Sequence, residues 1–290
     1  FTIDGGNKAS GEKLVKHITE IYKTDKIERA ILTHPDGDHA SGMKVLLENM
    51  KVDKIWMHRP WRHWSDLKDS IKDGRITKKS FGDILKEAYQ FAYDVEQTAN
   101  SKNIPIYAPH QGNFYSIDDE RILTVLAPGK DFYVDLIRAS EKTPEMTVEE
   151  IENKFILESE GREVAIEDMT FETENLTIKD GQTSCENDMS LILLLTVAGE
   201  RVLFTGDAGT MGLYKAIEYS IKNKIDLTNL DSFHVPHHGS RHNLSKGVLE
   251  YIKAKQAYIS SAVKGEPSHP SKIVTNALIR RGIKPYVTKG

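Results

Sequence analysis

Four separate apolar runs of this chain end in aspartates or histidines, and this recurrence constrains the fold more than any other feature. The groups are Asp4, the stretch HPDGDH at residues 34–39, Asp207, and the pair His237 and His238. The runs before them have the length and composition of β-strands. Ligand sites of open α/β sheets form at the carboxyl ends of strands, so groups far apart in sequence can converge there. The sequence therefore predicts a fold that gathers these strand ends at one site.

Strand and helix patterns alternate along most of the chain. A helix is expected after residue 10, with Ser10 as its N-cap, and the runs at 189–197 and 201–207 predict a hairpin. This interleaving favours a mixed α/β fold built in layers. No apolar run reaches the roughly 18–20 residues that a membrane-spanning helix needs.

Charge is unevenly distributed. The net charge is −4, which does not indicate a nucleic-acid-binding surface over the whole molecule. Residues 141–174 contain twelve acidic and three basic residues, a composition typical of a solvated surface insert; a lid over a site is the alternative. A helix from Thr147 to about Glu158 is expected within this segment. Cys185 is the single cysteine, which excludes an internal disulfide.

The residue types at the strand ends are those that bind divalent metals. Imidazole and carboxylate groups are common ligands, and one carboxylate can bridge two ions. A lone aspartate after a glycine, such as Asp207, is usually a turn residue. Four ligand-type residues within six positions, at His34, Asp36, Asp38 and His39, form a strong metal signature.

The motifs resemble those of a known family. HPDGDH resembles the HxHxDH signature of the metallo-β-lactamase superfamily, with Asp36 in place of the second histidine. ENDMSLILLL, FTGDAG and VPHHGS follow, and the ordered match runs from IDGG at 3–6 to SHPS at 268–271. This combination resembles the ComEC type, the hydrolase domains linked to bacterial DNA uptake.

The resemblance implies an α/β fold, a four-layer αββα sandwich with two mixed β-sheets. It implies a single domain over residues 1–290, with a basic and aromatic helical insert at about 58–103 and an acidic insert at about 130–183. The chain begins and ends in strand-like segments, so a fragment of a longer protein is expected, and fusion to further domains is possible.

The ligand assignments follow from the resemblance. His34 and Asp36 resemble the ligands of a first metal ion. Asp38 and His39 resemble a pair of second-metal ligands, and Asp207 resembles the carboxylate that bridges both ions.

The remaining assignments are less uniform. His237 resembles the late histidine ligand of the second metal, with His238 as its alternative. Asp4 resembles the buried aspartate that holds the ligand loop by hydrogen bonds. The histidine that usually completes the first site has no obvious counterpart, because ENDMS at 186–190 stands in its place. His110 is a second candidate for that missing ligand.

Two polar residues of the ENDMS stretch are candidates for substrate contact. Asn187 is expected to orient a water or to bind substrate, and Ser190 is placed in the same role. Ser240, after the histidine pair, could add a phosphate contact.

The carboxylate of Asp36 affects the expected cofactor. Replacing an imidazole by an oxygen ligand shifts preference toward Mn²⁺ or Mg²⁺ and away from Zn²⁺. Two divalent ions are therefore expected, with zinc in both sites still open.

The function implied is that of a metal-dependent hydrolase, a phosphodiesterase or nuclease. Hydroxide bound to two metal ions would cleave phosphodiester bonds of DNA or nucleotides. Asp38 and Asp207 would carry this chemistry, and His238 or His269 could donate a proton to the leaving group. The alternatives are hydrolysis of another ester, such as a phosphocholine ester or a lactone, and an effector or sensor domain of a larger protein.

The best indication of substrate is the stretch HRPWRHWSDLK at residues 58–68. Arg59 and Arg62 alternate with Trp61 and Trp64, and interleaved cations and aromatic rings suit phosphates and stacked bases. The alternative is the start of an amphipathic helix with its tryptophans packed inward. A nucleic acid or nucleotide substrate is expected, while oligomeric state and compartment stay open, with the cytoplasm slightly favoured.

Overall fold

The computed structural model describes residues 1–146, 176, 183–261 and 269–289, which divide into two compact units. The first unit comprises Phe1–Pro109 and Asp131–Glu149, and the second comprises His110–Lys130 and Glu150–Gly290. The predicted helix at 147–158 and most of the acidic segment lie outside the described residues. Whether the chain is one domain with two inserts stays a prediction.

The first unit contains a parallel sheet of four strands in the order β1-β2-β3-β4. Its strands are β1 (Thr2–Ile3), β2 (Lys26–Ile31), β3 (Lys51–Trp56) and β4 (Ile106–Tyr107). Its helices are α1 (Lys8–Ile21), α2 (Gly37–Asn49), α3 (Trp64–Leu67), α4 (Lys78–Ala88), α5 (Gln90–Ser101) and α6 (Lys130–Ala139), the last beginning one residue before the unit boundary. In each β-α connection the chain leaves the carboxyl end of a strand, and this places the residues after β1 and β2 at the same sheet edge.

The second unit contains a mixed sheet of seven strands in the order β11-β10-β9-β8-β7-β6-β5. Its strands are β5 (Phe114–Ile117), β6 (Glu120–Ala127), β7 (Ile192–Val197), β8 (Glu200–Phe204), β9 (Leu230–His234), β10 (Ala254–Ser261) and β11 (Lys284–Lys289). Its helices are α7 (Cys185–Asp188), α8 (Thr210–Lys222), α9 (Lys246–Tyr251) and α10 (Lys272–Arg280). The predicted α/β class with two sheets is confirmed, and the sheet of the first unit is wholly parallel.

The predicted hairpin is confirmed as β7 and β8. The two strands pair antiparallel from Leu193 with Phe204 to Val197 with Glu200. The turn residues Ala198 and Gly199 both have positive φ, 50° and 80°. This conformation matches the right-handed twist of paired strands, so a two-residue loop suffices. The strand β8 then runs directly into Gly206 and Asp207.

One helix start differs from the sequence prediction. The helix α1 begins at Lys8, because Asn7 is its N-cap and accepts a hydrogen bond from the Ser10 N–H at 2.9 Å. Ser10 lies inside the first turn instead. The helix α2 begins at Gly37, with Asp36 at the N-cap position. Asp38 and His39 therefore occupy the first turn of a helix, which fixes their backbone.

The aromatic segment after β3 packs inward at Trp61, which is 4% exposed. The ring of Trp64 contacts Phe81 edge to face, with centroids 5.6 Å apart. The inward-packed alternative therefore describes Trp61 better than a base-stacking surface does. None of the helices that the structure describes is long and apolar enough to cross a membrane.

The start of α2 is held by a close approach of glycine backbones. A Cβ built on Gly42 would collide with the carbonyl oxygen of Gly5, and the Gly42 N–H donates to the Gly6 carbonyl at 2.8 Å. The loop after β1 therefore rests directly on the helix that carries Asp38 and His39.

We expect Gly42→Ala to destabilise the protein, because backbone atoms cannot move aside as a flexible side chain can. The expected loss of unfolding free energy is about 1–3 kcal/mol, measured by denaturant titration. Gly74→Ala is the matched control, since no atom lies within 4 Å of a Cβ at Gly74. Equal unfolding midpoints for the two variants would contradict this reading of the contact.

Candidate metal centre

The ligand loop of the first unit connects β2 to α2. In this loop Thr33 is fully buried, and His34 is 3% exposed. The backbone of Asp36 accepts the N–H groups of His39 and Ala40 at 3.1 and 2.9 Å. These bonds start the helix α2 directly after the loop.

Asp4 holds this loop from the end of β1. Its Oδ1 accepts the Thr33 N–H, and its Oδ2 accepts the Thr33 hydroxyl, both at 2.8 Å. The same Oδ2 lies 2.8 Å from Nδ1 of His39. Burial would raise the pKa of the Asp4 carboxyl, but the charge and hydrogen bond of His39 outweigh it, and the pKa lies below its usual value.

These bonds select the tautomers of both histidines. Since the carboxylate of Asp4 can only accept, we assign the proton of His39 to Nδ1. The Thr33 hydroxyl gives its proton to Asp4, so it accepts from Nδ1 of His34 at 2.9 Å. In both rings Nε2 is then the atom with a ligand lone pair.

A carboxylate lies close to Nε2 of each ring. Asp36 Oδ2 is 3.9 Å from Nε2 of His34, and Asp38 Oδ2 is 4.0 Å from Nε2 of His39. The ring centroids of the two histidines are 4.2 Å apart. Nζ of Lys142 lies 3.5 Å from Asp36 Oδ1, so a cation of the chain itself already faces this carboxylate. Lys142 carried no signal in the sequence.

Asp207 occupies the tight turn between β8 and α8 in the second unit. The residue is 4% exposed, and its backbone N–H donates to the hydroxyl of Ser190 at 3.0 Å. Nδ2 of Asn243 donates to the Asp207 carbonyl at 2.9 Å. Ser190 is itself fully buried, so its observed role is to position the Asp207 turn. A substrate contact at Ser190 would require this hydrogen bond to open.

His237 follows the same pattern as the histidines of the first unit. Asn243 donates through Nδ2 to the carbonyls of Asp207 and Ala208, which fixes its amide with Oδ1 toward His237. Oδ1 lies 3.0 Å from Nδ1 of His237, and we therefore assign the ring proton to Nδ1. Nε2 of His237 then lies 3.9 Å from Oδ2 of Asp207. Nδ2 of Asn187 also lies 3.2 Å from this Nδ1, but with the ring proton there both nitrogens are donors, so this contact is not a hydrogen bond.

His238 is oriented independently. Its Nδ1 lies 2.7 Å from the carbonyl oxygen of Ser260, which can only accept, so Nε2 is again the ligand atom. A ring nitrogen of His238 lies within 4.8 Å of a carboxylate oxygen of Asp207. Both His237 and His238 have positive φ, 46° and 55°, a conformation that non-glycine residues rarely adopt. Both histidines thus remain ligand candidates.

His269 lies beside this pair, with ring centroids 5.9 Å from His237 and 6.4 Å from His238. Burial, and then the neighbouring histidines, lower the pKa of the His269 ring. The proton-donating role of His269 stays a prediction.

The donor sets fit divalent ions. Two atoms bound to one ion at about 2.0–2.2 Å each can be no more than roughly 4.4 Å apart. The Nε2-to-carboxylate distances of 3.9, 4.0 and 3.9 Å at His34, His39 and His237 satisfy this limit. In all four histidines, His238 included, Nδ1 is engaged by an oxygen acceptor. This is the arrangement by which proteins orient metal-binding imidazoles.

Four other residues that the sequence suggested for substrate or metal binding make contacts within the protein. Ser240 is 4% exposed, and its hydroxyl accepts the His242 N–H in the following turn. Arg59 and Arg62 both donate to the buried carboxylate of Glu96, at 3.1 and 2.9 Å. His110 opens the turn before β5, where its backbone N–H donates to Asn113.

Sequence reasoning missed two residues that position ligands. Thr33 links Asp4 to His34, and Asn243 links His237 to the Asp207 turn. Each stands next to a motif, before HPDGDH and shortly after PHHGS. Proximity to a motif was the only available signal, since hydroxyl and amide side chains are common in loops.

One comparison identifies relatives of the chain. The family model described as the metallo-beta-lactamase superfamily matches residues 3–262. No curated protein matches the sequence.

Proposed function

Because the chain belongs to the metallo-β-lactamase superfamily, we propose that it is a metal-dependent hydrolase. One observation carries this proposal: four histidines, two after β2 and two after β9, each engage Nδ1 with an oxygen acceptor and present Nε2 as the ligand atom. Chance would not give four surface or core histidines the same tautomer beside carboxylates. The pattern supports metal binding by both ligand groups.

We propose the ligand roles that the family resemblance implies. His34 and Asp36 would hold a first ion, and Asp38 and His39 a second. Asp207 would bridge the two ions, with His237 as the last ligand of the second and His238 as its alternative. Bound divalent ions would supply Lewis acidity toward water and toward the leaving oxygen.

The residues of the chain would contribute orientation and charge. Asp4 and Thr33 hold the imidazoles of the first unit, while Ser190 and Asn243 hold the Asp207 turn. Asp36, Asp38 and Asp207 bring three negative charges, which suit two divalent ions. Oxygen-rich ligand sets favour Mn²⁺ or Mg²⁺, whereas the histidines also suit Zn²⁺.

The substrate class we propose is a phosphodiester of DNA or of a nucleotide. Two-metal sites suit displacement at phosphorus because the attacking and leaving oxygens can both be stabilised. The motif resemblance to ComEC-type domains supports the same class. Asn187, whose amide touches His237, would help to place substrate or water.

Metal reconstitution tests the proposal. The protein would be stripped with a chelator, and Mn²⁺, Mg²⁺ or Zn²⁺ would be restored separately. Linear DNA, plasmid, RNA and a chromogenic phosphodiester would then be offered, beside a phosphocholine ester and a lactone. We expect metal-dependent cleavage of at least one phosphodiester and none by the stripped protein.

The outcomes separate the alternatives. Turnover of the phosphocholine ester or the lactone alone would replace the phosphodiesterase assignment with another ester hydrolase. Metal binding without turnover of any substrate would favour an effector or sensor domain. Failure to bind any of the three metals would refute the metal-dependent hydrolase itself.

A further inference from the structure

The first unit contains a cleft of about 650 Å³ whose lining does not include the ligand loop. Its walls come from the segment after β3 and from α4 and α5, and they include Arg62, Lys78, Lys79 and Lys86. We propose that this cleft is a phosphate-binding site for a nucleotide or for the backbone of a nucleic acid strand. Binding there needs no metal and no hydrolysis, so this inference goes beyond the proposed function.

The cationic charge of the cleft is only partly neutralised. Lys86 pairs with Asp83 at 3.2 Å. Lys78 and Lys79 are exposed and form no ion pair with any residue that the structure describes. With Asp83 and Glu96 as the acidic members, the lining keeps two more cations than anions. A polyanion would satisfy this excess.

The position of Lys78 and Lys79 at the start of α4 further favours the binding of an anion. They are the first two residues of α4, which has no acidic residue in its first turn. Cations at a helix N-terminus oppose the helix dipole, and each costs roughly 0.3–1 kcal/mol at an exposed site. An anion bound between them would relieve this repulsion and would also meet the positive end of the helix.

Arg62, the arginine of the cleft, is held in place by the buried carboxylate of Glu96. Glu96 is 1% exposed and accepts hydrogen bonds from Arg59, from Arg62 and from Nε1 of Trp61, at 3.1, 2.9 and 2.8 Å. Burial would raise the pKa of Glu96, but these three donors lower it below its usual value. The ionised carboxylate thus fixes Arg62, whose side chain is 62% exposed and whose guanidinium carries further N–H donors.

The cleft recognises charge better than it recognises bases. Trp61 is buried and meets Tyr93 edge to face at 5.6 Å, so the tryptophan offers no open face for stacking. Nζ of Lys86 lies 5.5 Å from the Tyr93 ring centroid. A site of this kind binds phosphates with little sequence preference and with strong dependence on salt. The cleft volume of about 650 Å³ is in the range found for small-ligand pockets.

The test is binding without metal. Fluorescence anisotropy of a labelled single-stranded oligonucleotide would be measured in chelator over a series of salt concentrations. We expect Lys78→Glu with Lys79→Glu to weaken binding about 10-fold or more at low salt and to reduce the salt slope by about 1.4. The matched control is Lys8→Glu with Lys13→Glu, two exposed lysines at the start of α1 in the same unit.

Each outcome is informative. Competition by a nucleoside triphosphate would identify free nucleotide as a source of the phosphate, and binding of the oligonucleotide alone would identify a strand. Retained binding by Lys78→Arg with Lys79→Arg would support charge recognition, and circular dichroism would show that all variants are folded. Equal weakening by the two glutamate pairs, or no binding by the unaltered protein, would overturn the proposal.

Discussion

Asp207→Asn is expected to abolish hydrolysis, with kcat/KM reduced roughly 10³-fold or more, equivalent to about 4 kcal/mol of transition-state stabilisation. The substitution preserves size and removes one of the three negative charges that would balance two divalent ions. Asp207 is 4% exposed, and its backbone is held by Ser190 and Asn243, so the amide would occupy the same place.

The measurement pairs activity with bound metal per chain by elemental analysis. We expect the variant to hold less metal than the unaltered protein while its far-ultraviolet circular dichroism is unchanged. Glu218→Gln is a suitable control, because Glu218 lies on α8 in an exposed ion pair with Lys215. Unchanged metal content and turnover in Asp207→Asn would remove Asp207 from the proposed centre.

Asp4→Asn is expected to weaken metal binding by about 10–100-fold, although Asp4 would touch no metal ion. The carboxylate accepts three hydrogen bonds, from the Thr33 N–H, the Thr33 hydroxyl and Nδ1 of His39. An asparagine amide has only one oxygen. If its NH₂ faces His39, it favours the tautomer with the proton on Nε2, which blocks the ligand atom.

Chelator competition would measure this loss directly, and no enzymatic assay is needed. Asparagine tolerates the positive φ of 57° at this position, so backbone strain should not add to the effect. Asp25→Asn, in an exposed ion pair with Lys51, serves as the control in the same unit. A metal affinity equal to that of the control would mean that the Asp4 bonds do not set the tautomer of His39.

The sequence predicted well what local patterns determine. The β7–β8 hairpin was predictable because its two apolar runs flank Ala198 and Gly199, and glycine readily adopts the positive φ of a two-residue turn. The group from His34 to His39 was recognisable because four ligand-type residues in six positions rarely occur for another reason.

Features that depend on distant partners were not predictable in the same way. Asn7 rather than Ser10 caps α1, a choice between two good capping residues that neighbouring geometry decides. Arg59 and Arg62 were both predicted to contact substrate, but both donate hydrogen bonds to Glu96, which lies more than 30 positions later in the sequence. Asn243 acquires its role only because its amide reaches both His237 and the Asp207 turn.

The left-handed backbone at His237 and His238 has an evolutionary consequence. Two consecutive residues with a Cβ in this conformation each cost about 1–2 kcal/mol relative to glycine, and the surrounding bonds to Asn243 and Ser260 must compensate. Glycine at either position would relieve this backbone cost but would erase an imidazole. Relief of backbone strain would therefore favour glycine at these two positions, whereas metal binding would favour histidine. Variants selected for stability should be tested for loss of metal binding before they are tested for loss of structure.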